Sequence, residues 1–189
     1  MFHFVKWRER ILDALSALRD GRAATPPPQN VDEFNDAELA GESQMSLVDS
    51  AREADSLLAS LIDVYEAVGD RPFSWYRWPT TTEALLGSAY VHPHTHIVAY
   101  LKENDDLDGA VRLMETTVSV LRRASAPSMI LGLEIYNLAC LRAAEGRHDD
   151  ALGLIEESVA LRPNLKEIAP TDPDLAALYD HERFRAIVR

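Results

Sequence analysis

Tyr90-Val91-His92-Pro93-His94-Thr95-His96-Ile97-Val98-Ala99-Tyr100 holds three of the chain's six histidines within five residues. On a helix, His92 and His96 stand i, i+4, one turn apart on one face. Two imidazoles so placed can offer two nitrogens to one metal ion. His94 lies about 200° round the helix from His92 and belongs to a different face. The same residues also read as polar groups, partly buried and hydrogen-bonded, at a kinked helix. Pro93 supplies the kink. It lacks a backbone N–H, so it either bends a continuous helix and releases the carbonyl of Ala89, or stands in the first turn of a new one.

Working outward, the pattern is helical in both directions. Upstream, Pro79-Thr80-x-x-Glu83 opens a long helix predicted to run to about Asn104. Before it, residues 70–79 read as a loop with four aromatics, Phe73, Trp75, Tyr76 and Trp78, which either plug the end of a bundle or wall a pocket. Ser46-x-x-Asp49 resembles a capping box for a helix through Leu47, Ala54, Leu61, Tyr65 and Val68 that stops at Gly69. Residues 22–45 are a linker, with Pro26-Pro27-Pro28 extended and a short helix or ordered loop from Asp32 to Leu39. Residues 3–20 form a first helix through Phe4, Trp7, Ile11, Leu15 and Leu18, closed by Gly21.

Downstream, helices are predicted from Asp106 to Arg123, from Pro127 to Gly146 and from Asp149 to Leu161. Pro163 stops the last of these, and Asp172-Pro173 and Asp180 open two short ones. No segment alternates with period two for long enough to claim a strand, so the fold class is all-α.

Composition narrows the function classes. The 189 residues carry a net charge of −12, which repels phosphate backbones and anionic lipid surfaces, so neither nucleic acid nor membrane is an expected partner. No apolar run approaches the ~18 residues of a membrane span, and the first ten residues lack signal-peptide order. One cysteine, Cys140, leaves no internal disulfide framework and suits a cytoplasmic protein with a buried thiol. Glycosidase-type paired carboxylates, a phosphate-cradling glycine loop and a serine with base and orienter are all missing. No catalytic residue and no organic cofactor is assigned.

Two resemblances organise the chain. Residues 135–163 resemble one tetratricopeptide repeat through Ile135-x-x-Leu138-Ala139-x-x-Arg142, Gly146, Ala151-x-x-x-Ile155, Ser158 and Pro163. A weaker copy runs from Ile97 to Leu121, with Ala110 in the place of Ala151. The tail from Pro170 to Phe184 resembles the closing helix seen after such repeats in bacterial proteins. This implies a scaffold that binds a protein or peptide through its repeat surface. Residues 1–104 resemble the DinB-like four-helix bundles, in particular the ClbS/DfsB branch. The motifs are His3-x-x-x-Trp7-Arg-Glu, the proline-rich link to Asn35, and His92-x-x-x-His96.

That second resemblance implies a divalent-metal site, zinc or nickel, with His3, His92 and His96 as ligands. Hydrolase or thiol-transferase chemistry is the corresponding activity. Relative to the family the chain is N-terminally truncated: either the natural start lies upstream, or another element takes the place of the missing helix. The expected organisation is a truncated bundle over residues 1–104 and a repeat region over residues 105–189. The long helix would then be the last of the bundle and the first of the repeats. The apolar stripe Phe4, Ile11, Leu15, Leu57 and Leu61 would lack one packing partner, and a homodimer or the chain's own C-terminal segment is expected to cover it.

Overall fold

The computed structural model describes residues 2–40 and 45–189, leaving aside the side chains of residues 2, 32 and 38–40. Two compact units divide the chain, Met1–Pro93 and His94–Arg189. The division falls between Pro93 and His94.

In the first unit, α1 (Phe2–Arg19) packs along α3 (Leu47–Val68). Between them in sequence comes α2 (Val31–Ala40). Ser46 caps α3 by accepting a hydrogen bond from the Asp49 amide at 3.1 Å, while its hydroxyl donates to the Asp49 carboxylate at 2.7 Å. Gly69 ends the helix with φ 66°, the left-handed conformation that glycine adopts without a Cβ clash. The apolar stripe is not left open. Ile11, Leu15 and Leu61 are fully buried and Leu57 nearly so, because the helical stretch Thr81–Val91 also packs on α1. Four of the five stripe residues are thus packed within the unit, and Phe4 is half-buried.

The class is all-α apart from one small hairpin where a loop was expected. β1 (Pro72–Trp75) pairs antiparallel with β2 (Trp78–Thr80). Tyr76 makes the turn at φ 51°, a conformation that costs a residue with a Cβ about 1 kcal/mol. Its ring lies 5.6 Å from Trp75 and 5.5 Å from Trp7, contacts that help offset the cost. Trp75 and Trp78 are buried, so these two do plug the unit, while Tyr76 stays exposed.

Thr80 caps α4 (Thr81–Leu85), its hydroxyl accepting from the Glu83 amide at 3.2 Å. The helix then widens into a π-helical segment, Leu86–Val91, before α5 (His92–Glu103). Pro93 thus sits in the first turn of α5, and the His92 amide bonds back to Gly87. Gly87 is also where Trp78 lies closest: an added Cβ would come within 2.3 Å of the indole. The indole is rigid and buried, so it has nowhere to move. Gly87→Ala should destabilise the first unit by roughly 1–3 kcal/mol. Urea unfolding followed by tryptophan fluorescence measures this, and an unchanged midpoint would mean that the close approach is not real.

In the second unit, the remainder of α5 is followed by α6 (Leu107–Arg123), α7 (Ser128–Ala144) and α8 (His148–Leu161). Asp106 caps α6, its carboxylate accepting from the Gly109 amide at 2.8 Å. Short turns finish the chain: α9 (Leu165–Ile168), 3-10 turns at Ala169–Thr171 and Pro173–Leu178, and α10 (Glu182–Ile187). Small residues sit where the helices touch. Ala110, Ala139, Ala151 and Ser158 are fully buried, and Gly132 on α7 lies so close to α8 that a Cβ would meet the Arg162 and Leu161 side chains at 3.0 and 3.1 Å. Val98, Met114, Val118, Leu138 and Leu141 build one core. Ala139, Leu152, Ile155, Leu175 and Phe184 build another, with the C-terminal turns closing it.

One buried group opposes this packing. Glu134 on α7 is fully buried. Asn137 donates to its Oε1 at 3.3 Å, and Oε2 has no hydrogen-bond partner among the described residues. Burial pushes its carboxyl up to about 7.

Candidate metal centre

His3 enters from the first turn of α1 and His92 from the first residue of α5, 89 residues apart in sequence. Their Nε2 atoms lie 3.2 Å apart. Two nitrogens bound to one tetrahedral zinc at ~2.0–2.1 Å would stand about 3.3 Å apart, so the pair is already at chelating distance. One hydrogen bond between neutral rings, one donating and the other accepting, also accounts for the spacing.

His96 follows on the same uninterrupted helix, so its place beside His92 is set by one turn of α5. His3 and His92 lie in the first unit, and His96 is in the second. Burial lowers the proton affinity of His96, which favours the neutral form that a metal requires. His94, between them in sequence, stands on a different face of the helix. Of the three residues named by the resemblance, the structure brings His3 and His92 together within the first unit.

The surroundings of the pair are aromatic. The Trp7 ring lies 5.9 Å from His3 and 5.7 Å from His92, and Phe4 lies 6.5 Å from His92. The Tyr76 ring is tilted against Trp7, and partial burial raises its phenol to about 12 and keeps it protonated. The Trp7 indole donates to Asn35 Oδ1 at 3.2 Å, joining two of the motifs that carried the bundle resemblance. Arg10 lies over both Trp7 and Phe34, at 5.0 and 4.1 Å, a cation–π arrangement that holds α2 against α1.

Sequence reasoning anticipated a released carbonyl at Ala89 but not what would take it up. Arg8 does so, donating to Ala89 O at 3.1 Å and to Ala54 O at 2.5 Å. Proline cannot bond Ala89, so a half-buried guanidinium stands in for the missing amide and ties α1 to the segment that presents His92. Burial lowers the proton affinity of Arg8, partly offset by Asp55.

Comparisons with family models, curated proteins and solved structures find no match to the chain. Among the described residues, no helix is long and apolar enough to cross a membrane.

Proposed function

We propose that this chain is a divalent-metal-binding helical protein in which His3, His92 and His96 hold zinc or nickel. The supporting observation is the meeting of His3 and His92 at 3.2 Å across 89 residues of sequence, with His96 one turn further along α5. Three neutral imidazoles fit the borderline-soft donor preference of these ions. A metal held by three protein ligands keeps positions open, where it polarises water or a substrate group. Trp7 and Phe4 limit water beside the pair, and Arg8 fixes the backbone behind it. This is the arrangement that the DinB-like resemblance implies, with hydrolase or thiol-transferase chemistry as the activity to assay.

A second reading is a helical scaffold that binds a protein or peptide through the tetratricopeptide-like unit. It is favoured by a cavity of about 340 Å³ between α5, α6, α7 and the C-terminal turn, lined by Ala99, Lys102, Asn137 and Asp172 among others.

Calorimetric titration of chelator-stripped protein with zinc and with nickel, on the parent chain and on His96→Ala, tests the first reading. One saturable binding event present in the parent and lost in the variant is the expected result. Identical titrations in the two proteins would remove the three-histidine reading and leave the scaffold.

A further inference from the structure

We infer that Cys140, Asp172 and Asp174 form a second cation site, built for a thiophilic divalent ion such as zinc and independent of the histidines. One sulfur and two carboxylates converge there, and a ligand atom from each lies within 4.8 Å of the others. All three line the 340 Å³ cavity, together with Thr95, Asn137 and Met114. That volume admits an ion with bound water, since a water's share of liquid volume is about 30 Å³.

The thiol is the telling group. Cys140 is only 8% exposed and lines the cavity from near the C-terminal end of α7. Among the described residues its thiol has one hydrogen-bond contact, to Asp172 Oδ2 at 4.0 Å, the outer reach of a weak S–H donor. A buried thiol without a strong partner thus faces two carboxylates across open space.

Asp172 is held in place for this role. Tyr136 donates its hydroxyl to Oδ2 at 2.8 Å, the Asp174 amide donates to Oδ1 at 3.0 Å, and Tyr179 donates to the Asp172 carbonyl at 2.7 Å. Outer partners of this kind orient metal ligands. Asp174 meets the Lys102 ammonium at 3.2 Å, and Glu103 lines the same cavity, so the local charge is net acidic.

One soft and two hard donors suit zinc, whereas magnesium and calcium prefer oxygen alone. On binding, the thiol S–H breaks, its proton passes to solvent, and the sulfur lone pair forms the bond to the metal. No electron is transferred. A metal here would staple the C-terminal turn to α7, linking residues 32 apart.

Cobalt(II) titration of the full chain tests the site. Cys140 is the chain's single cysteine, so thiolate-to-cobalt charge-transfer absorption in the near ultraviolet can arise nowhere else. The expected band saturates at one cobalt per chain, persists in His92→Ala and vanishes in Cys140→Ser. Asp174→Asn, at a half-exposed position whose loss should not unfold the chain, should weaken cobalt binding at least tenfold. No band in the parent protein overturns the inference, and so does a band whose affinity Asp174→Asn leaves unchanged. Loss of the band in His92→Ala would overturn the independence of this site from the histidines.

Discussion

His92→Ala should weaken zinc or nickel binding at the histidine group by at least about 100-fold, while His94→Ala leaves it unchanged. Residues that merely orient a ligand are worth about 10–100-fold in metal affinity, so removing a ligand should cost more. His92 contributes the nitrogen already 3.2 Å from His3. His3→Ala should match His92→Ala. The series is best run in a Cys140→Ser background, so that imidazole coordination alone is read, with circular dichroism confirming that each variant keeps its helices. Equal loss in His94→Ala would point to a general histidine-rich attraction rather than a built site.

Glu134→Gln should stabilise the second unit by about 3 kcal/mol at pH 8 and by almost nothing near pH 4. The Glu134 carboxyl is pushed from 4.5 up to about 7 by burial. Between those values the unfolded chain gives up the proton while the folded chain keeps it. Stability therefore falls as pH rises through that window and levels off above it. Each tenfold change in proton affinity corresponds to about 1.4 kcal/mol, which sets the expected size. Glutamine carries no proton to lose, keeps the Asn137 contact, and fills the same space. Urea midpoints of parent and variant at the two pH values decide it. A difference independent of pH would show that the buried carboxyl does not titrate in this range.

The helices were legible because their apolar residues recur at three and four and their ends carry cap chemistry. Ser46, Thr80 and Asp106 all accept the first-turn amides expected of them. The hairpin was not legible. Its strands are four and three residues long, prolines stand in both, and the turn uses Tyr76-Arg77 in place of the usual Asn-Gly signal. The π-helical segment has no sequence pattern of its own; Pro93 was the one hint that the backbone ladder would change there.

At the histidine group, spacing alone reached His92 and His96. His3 entered only through the family resemblance, since nothing in periodicity joins residues 89 apart. Cys140 was expected to be a buried thiol, and it is, but its carboxylate neighbours come from a tail whose position no local pattern encodes. Glu134 was equally hidden, because a lone acid on a helix reads as a solvent-facing residue.

The π-helical stretch from Leu86 to Val91 also bears on how this chain tolerates changes in length. In an ordinary helix, losing one residue swings everything beyond it by about 100°, which would carry His92 away from His3. A π turn holds one residue more than its α counterpart. A single-residue deletion inside this stretch can therefore be absorbed by tightening the turn, with Ala84 before it and His92 after it each keeping its direction. The segment acts as slack in the ruler: the one place in the long helix where the count of residues and the aim of the histidines are uncoupled.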